Sequence, residues 1–255
     1  MLLFWPLLLC HPLPMKAEDR AWLNKGKWDA FYDGSHAPHL AGRPAVDDVI
    51  ATLPWRSHSP TSQVVEHLAS QHAPGWRARA LELGCGTGEN LVVLADHCAF
   101  VCGLDIAERA CDAAAATLRA AGRDAQVVCA DVLAIEDEST SKPLADGGPW
   151  SFDLVVDVQT FHCVRQVDAR AAARAWARLV APGGTLLLLT GSSDEPTDRG
   201  PSRMTREEVA GAFDGTALHL EALEATHFDP SETYRRQPFE KPPLGWLSRW
   251  RKAPS

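Results

Sequence analysis

ELGCGTG, running from Glu82 to Gly88, decides the fold. The apolar run ARALEL (78–83) leads into it, and ENLVVLADH (89–97), with apolar residues at helical spacing, leads out. A strand that enters a glycine-rich turn directly and leaves it as a helix opens a βα unit. Gly84, Gly86 and Gly88 lack a Cβ, so the chain turns tightly there and leaves room for a ligand against its backbone. The helix that follows points its free N–H groups at the same place.

The alternation continues downstream. AFVCGLDI (99–106) reads as a buried strand. ERACDAAAATLRAAG (108–122) reads as an alanine-rich helix stopped by Gly122. AQVVCADV (125–132) is a third strand, and residues 133–151 are a polar, acidic loop. FDLVVDVQ (152–159) is a fourth strand. DARAAARAWARLV (168–180) is a helix ended by Pro182, Gly183 and Gly184, and TLLLLTG (185–191) is a fifth strand. Almost wholly apolar strands alternating with helices predict a parallel sheet covered on both faces, a doubly wound α/β fold. Beyond it the pattern changes. A helix is expected near TREEVAGAF, and LHLEALEAT (218–226) and WLSRWR (246–251) alternate with period two, as an antiparallel addition at one sheet edge would. Upstream, a short helix is expected around Trp28–Tyr32. Ser59 and Pro60 read as the cap and first position of a helix over SQVVEHLAS.

The chain has 255 residues, 45% of them hydrophobic, and a formal net charge of −8. That suits one domain with a real core. The one dense basic stretch, Arg249, Arg251 and Lys252, is too small a footprint for nucleic acid or an anionic membrane. Seven cysteines with no C-x-x-C read as reduced, packed thiols, with no disulfide framework and no metal site. The opening MLLFWPLLLC is too short to span a bilayer, lacks a preceding Lys or Arg, and is broken by Pro6, Pro12 and Pro14. The expected organisation is a hydrophobic, Pro-rich extension over 1–15 and a single cytoplasmic domain over 16–255: a helical lid over 16–77, a ligand-binding core over 78–191, and a C-terminal helix with antiparallel strands over 192–255.

Two ligand classes fit the glycine turn. A dinucleotide site prefers G-x-G-x-x-G and sets a pyrophosphate on the helix N-terminus. Here the spacing is G-x-G-x-G, and Glu89 stands where the third dinucleotide glycine would be. With Glu82 before the turn, this suits an ammonium or sulfonium better than a phosphate. Asp105 ends the second strand, 23 residues after Glu82. A carboxylate is a pure acceptor and takes both hydroxyl protons of an unphosphorylated ribose. Asp131, at the end of the third strand, either accepts from an exocyclic amino group such as adenine's or caps a turn.

Taken together, E-L-G-C-G-T-G (82–88), G-L-D-I (103–106), A-D-V (130–132), F-D-L-V-V-D (152–157) and the P-G-G turn (182–184) resemble the class I S-adenosylmethionine (SAM)-dependent methyltransferases. The resemblance covers residues 78–191. It implies a seven-stranded sheet of order 3-2-1-4-5-7-6 with strand 7 antiparallel. It implies SAM as cofactor, with the Gly84–Gly88 turn at its methionine end, Asp105 on the ribose, Ile106 and Val132 on the adenine faces and Asp131 on the adenine amino group. The K-W-D-A-F-Y start and the F-H after strand four are similar to small-molecule methyltransferases of the tellurite-resistance and thiopurine type. No N/D-P-P-Y/F motif of the nucleic-acid base enzymes follows strand four; D-V-Q-T (157–160) stands there.

Methyl transfer from a sulfonium is an in-line displacement in which the protein aligns the acceptor and excludes water. Phe161 and His162 follow strand four, one an apolar and one a polar wall for a small acceptor. No catalytic base is assigned. His162 is either a base or a polar pocket residue, and Cys163 either a pocket thiol or a packed one. Trp28 and Tyr32, four apart, either cover the cofactor or pack on the sheet. The acceptor is expected to be a small molecule, with a protein side chain as the alternative. An NAD(P)-dependent oxidoreductase is disfavoured by the glycine spacing and by the lack of Y-x-x-x-K, since Tyr32 and Tyr234 are followed four residues on by His36 and Pro238. An inactive SAM-fold scaffold is the other alternative. The oligomeric state is left open.

Overall fold

The computed structural model describes residues 25–33, 49–50, 53, 55–71, 78–135, 144–197, 202–231 and 241–254. The extension expected over residues 1–15 lies outside them. The strands are β1 (Arg79–Leu83), β2 (Phe100–Asp105), β3 (Gln126–Cys129), β4 (Phe152–Val158), β5 (Val180–Ser192), β6 (Arg203–Met204), β7 (Leu218–His227) and β8 (Leu244–Lys252). The helices are α1 (Lys25–Tyr32), α2 (Ser62–Gln71), α3 (Glu89–His97), α4 (Glu108–Ala121), α5 (Phe161–Val164), α6 (Ala169–Leu179) and α7 (Arg206–Ala210).

The sheet order is β3-β2-β1-β4-β5-β8-β7, with the two residues of β6 paired to β5. β1 to β5 are mutually parallel, and β8 runs antiparallel to both β5 and β7. This is the expected order; the short β6 only advances the numbering of the last two strands. Strand order reverses between β1 and β4, so the crevice beyond their carboxyl ends is the switch point where doubly wound sheets bind ligands.

Alternation within each strand divides the core into two layers. Leu81 and Leu83 join Val155, Phe161, Trp176, Phe213 and Trp250 on one face. Ala80 joins Val64, Leu68, Leu91, Leu94 and Ala114 on the other. Glu82 shares the face of Ala80, because successive side chains of a strand point to opposite sides. That is the face covered by α3.

Two local expectations are corrected. α2 starts at Ser62, not at Pro60: Val64 and Val65 donate to the Thr61 carbonyl, while Thr61 N–H is spent on the side chain of Asn90. The Pro182–Gly184 segment does not separate helix from strand. α6 has already ended at Leu179, and β5 runs through the segment with an irregular register, Phe152 opposite Val180 and then Leu154 opposite Thr185. Gly183, at φ +72°, takes up the distortion. Gly122 closes α4 in the left-handed conformation, as its place in the sequence predicts.

Candidate functional site

Glu82 is 3% exposed. Its Oε1 accepts a hydrogen bond from Asn90 Nδ2 at 2.6 Å, and its Oε2 has no hydrogen-bond partner. Burial pushes this carboxyl well above the usual range. The Asn90 bond pulls the other way, and the charges of Glu89, Asp105 and Asp157 add to the upward push.

The glycine turn is tied down on two sides. Gly84 N–H and Cys85 N–H both donate to the Leu104 carbonyl, at 2.7 and 3.0 Å, fixing the turn to the end of β2. On the other side, Gly84 (φ +66°) lies against Thr160, whose Oγ1 donates to the Leu83 carbonyl at 3.0 Å; a Cβ on Gly84 would overlap that hydroxyl. Gly88 forms the left-handed cap of α3, pressed on Ala114 of α4.

Asp105 ends β2 beneath this turn. Its Oδ2 accepts from Gly86 N–H and its Oδ1 from Ala107 N–H, both at 2.9 Å. Burial raises its carboxyl above the ordinary value, against the pull of these backbone donors. Each oxygen keeps a lone pair beyond those bonds. Ile106 follows, partly exposed. Asp131 is exposed, and its Oδ1 accepts from Leu133 N–H at 2.9 Å, capping a 3₁₀ turn over Val132–Ala134; Val132 is buried. Of the two sequence readings of Asp131, the cap is present. The thiols of Cys111 and Cys129 donate to the carbonyls of Asp105 and Ile106, each at 3.6 Å, and none of the six cysteines among the described residues is in a disulfide.

Glu89 does not stand as a bare charge facing a ligand. Its Oε1 pairs with Arg56 Nε at 2.7 Å and its Oε2 accepts from Thr87 Oγ1 at 2.5 Å. The ion pair offsets its charge, so Glu82 and Asp105 are the carboxylates that the turn presents. Arg56 lies 33 positions away and belongs to no motif, so nothing in the local sequence announced it.

Residues of the N-terminal segment approach the turn. α1 packs on α4, with Arg109 N–H donating to Asp29 Oδ1 at 3.1 Å and the Arg109 guanidinium 3.5 Å from Asp33. Tyr32 is buried with its hydroxyl beside Gly86, so that a Cβ there would sit 3.4 Å from it. Trp28, Phe31 and Tyr32 pack around Trp55 at centroid distances of 5.7–6.2 Å. Tyr32 therefore lies over the glycine turn, while Trp28 belongs to the aromatic cluster beside it.

The turn after β4 approaches from the other side. Gln159 holds φ +71°, a costly conformation for a side-chain-bearing residue. Asp157, fully buried, accepts from Thr160 N–H and Phe161 N–H at 2.9 Å and from Trp176 Nε1 at 2.6 Å. Burial pushes its carboxyl up to about 7 despite these donors. Phe161 does not line an open pocket: its ring lies in the core, 5.4 Å from Trp176 and 5.1 Å from Phe213. The reason is Asp157, which anchors the first N–H groups of α5 and rolls Phe161 inward. His162 is 1% exposed, and Gly191 N–H donates to its Nδ1 at 3.4 Å, which leaves the ring proton on Nε2. Burial and the Arg165 charge lower its pKa to about 3, so the ring is neutral at physiological pH.

Among the described residues, no group of three His, Cys, Asp or Glu side chains is placed to hold a metal ion, and no helix is long and apolar enough to cross a membrane. The donor set does fit SAM. A buried acceptor without a donor beneath the turn suits the ammonium of the methionine part, and the Asp105 carboxylate suits a ribose diol.

Residues 81–186 match the family model of a methyltransferase domain. Thiocyanate methyltransferase 1 of Brassica oleracea is 32% identical over 136 residues, which are 53% of this chain and 55% of that protein. A ubiquinone biosynthesis O-methyltransferase of Idiomarina loihiensis is 32% identical over 112 residues, 44% of this chain and 42% of that protein. The chain thus spans about half the length of these curated relatives. A solved structure described as converting a disulfide bond into a thioacetal group during echinomycin biosynthesis superposes with a TM-score of 0.65 at 22% identity, covering 90% of this chain and 93% of the other. That likeness is one of fold.

Proposed function

We propose that this chain is a class I SAM-dependent methyltransferase that transfers a methyl group from SAM to a small-molecule acceptor. The observation that carries the reading is the buried, unpartnered Glu82 Oε2 under the glycine turn at the switch point of the sheet. A buried acceptor left without a donor is costly, and a cationic ligand relieves that cost.

SAM, when bound, supplies a methyl carbon activated by its sulfonium. The chain's own residues do the rest. Glu82 holds the ammonium, and Asp105 accepts from the ribose hydroxyls while keeping its bonds to Gly86 and Ala107. Ile106 and Val132 flank the adenine, and the second oxygen of Asp131 accepts from its amino group. Tyr32 and the aromatic cluster exclude water above the turn. The Gln159–His162 segment borders the methyl end, where His162, neutral and buried, is a hydrogen-bonding wall and not a strong base. Without a strong base among the described residues that border it, an acceptor that is already nucleophilic is favoured. Relatives named for thiocyanate and for ubiquinone biosynthesis support small-molecule chemistry. Free cysteines suit a reducing, cytoplasmic setting.

Calorimetry with SAM, its demethylated product and NADH tests the cofactor. Heat with the first two and none with NADH is expected; the reverse overturns the reading. A screen with methyl-labelled SAM across thiols, inorganic anions, phenols, amines and protein extracts then tests the acceptor. Label found only on protein would replace the small molecule with a protein side chain. SAM binding without label transfer to anything would favour a scaffold.

A further inference from the structure

Asn90, the second residue of α3, is 8% exposed and touches two functional parts at once. Its Nδ2 donates to Glu82 Oε1 at 2.6 Å, and its Oδ1 accepts from Thr61 N–H at 2.6 Å. The orientation of the amide is fixed chemically: the Thr61 backbone N–H only donates, so it takes the amide oxygen and leaves the NH2 group for Glu82. Thr61 stands at the start of α2, and Arg56, a few residues earlier in the same segment, is paired with Glu89 beside Asn90. Ser62 N–H is held in turn by Asp229 Oδ2 at 2.7 Å.

We propose that Asn90 is a positioning residue for the ammonium group of the cofactor, acting through Glu82; this rests on the SAM reading of the site. The Asn90 bond occupies Oε1, so Oε2 is the oxygen left to meet a ligand. The donor is also neutral. A Lys or Arg at position 90 would cancel the Glu82 charge and remove its attraction for an ammonium. An apolar side chain would leave a buried carboxyl with no donor and push it further toward its uncharged form. An amide stabilises the charge without cancelling it. Its other end ties that carboxylate to Thr61 at the start of α2.

A purely structural role for Asn90, tying α2 to α3, would affect every ligand alike. The role through Glu82 affects only ligands that carry an ammonium. The test measures the affinity of the full chain for S-adenosylhomocysteine, which carries the amino-acid part, and for 5′-methylthioadenosine, which lacks it. Asn90→Ala should weaken the first at least tenfold and change the second less than threefold. Asn90→Leu, close to Asn in volume, repeats the comparison should the Ala cavity cost the fold. In a Glu82→Gln background the further change Asn90→Ala should cost less than threefold for S-adenosylhomocysteine, because the group it acts through has lost its charge. Equal loss for both ligands, no loss for either, or full additivity with Glu82→Gln overturns the proposal. If the unaltered protein binds neither ligand, the SAM reading itself has failed, an outcome distinct from the other three.

Discussion

Gly84 and Thr160 share one space: the Thr160 hydroxyl, donating to the Leu83 carbonyl at 3.0 Å, occupies the volume that a Cβ on Gly84 would need. The turn after β1 and the turn after β4 are thereby locked, one on the proposed cofactor side and one on the proposed acceptor side. Gly84→Ala must shift Thr160 and also hold Ala at φ +66°. A loss of about 2–4 kcal/mol in stability is expected from overpacking and backbone strain together. Adding Thr160→Ala should recover most of the overpacking part and none of the strain, since it removes Oγ1 and Cγ2 but keeps the Cβ 2.9 Å from the new methyl. Chemical denaturation of the two variants checks this, and full recovery in the double variant would mean that the backbone is not strained there.

Asp105→Ala removes a proposed ribose acceptor and also the acceptor for Gly86 and Ala107. SAM affinity should fall by about 2–4 kcal/mol, at roughly 1–2 per charge-assisted bond. The lost backbone bonds add about 1–3 kcal/mol of destabilisation. Titration calorimetry beside a melting curve separates the two effects. Unchanged affinity in a folded variant would take Asp105 off the ribose.

His162 and Phe161, adjacent in sequence, should behave differently. His162→Ala is expected to lower turnover, with SAM affinity held within about threefold, under ~1 kcal/mol. With the ring's pKa lowered to about 3, the pH–rate profile between pH 5 and 9 should keep its shape in that variant. Loss of a limb near pH 6–7 would instead identify His162 as a base. Phe161→Ala opens a cavity beside Trp176 and Phe213 and should cost about 3–5 kcal/mol of stability. A variant as stable as the parent but slower would return Phe161 to the acceptor pocket.

Asp157 gives stability a pH dependence. Its carboxyl is raised to about 7 in the folded chain, so the folded state holds the proton more tightly than the unfolded one. This contribution is fully present below the ordinary Asp pKa of about 4 and is lost as pH rises through about 7, with a slope of at most about 1.4 kcal/mol per pH unit. Asp157→Asn removes the titration and turns an amide N–H toward donors from Thr160, Phe161 or Trp176. The variant should be less stable overall and should show a flatter stability slope between pH 4 and 7. An unchanged slope, read from urea midpoints across that range, would show that Asp157 keeps an ordinary pKa.

Much of the molecule was already legible along the chain. Apolar runs of strand length between helical repeats specified the parallel core, since a strand covered on both faces must be apolar throughout. Period-two runs specified the antiparallel edge. The glycine turn followed by an acid at the end of β2 marked the place where the ligand is proposed to bind, because glycine spacing is a local backbone requirement. Alternation along ALEL puts Glu82 on the face opposite Leu81 and Leu83. What covers that face is a matter of tertiary structure. Asn90 reaches Glu82 because α3 folds back over β1; Arg56 neutralises Glu89 from 33 residues away; Asp157 turns Phe161 into the core while His162 is buried beside Gly191. Local sequence sets backbone conformation and the side of a strand on which a residue falls. Which charge is paired and which is left bare depends on side chains brought together from distant parts of the chain, and that only the folded structure decided.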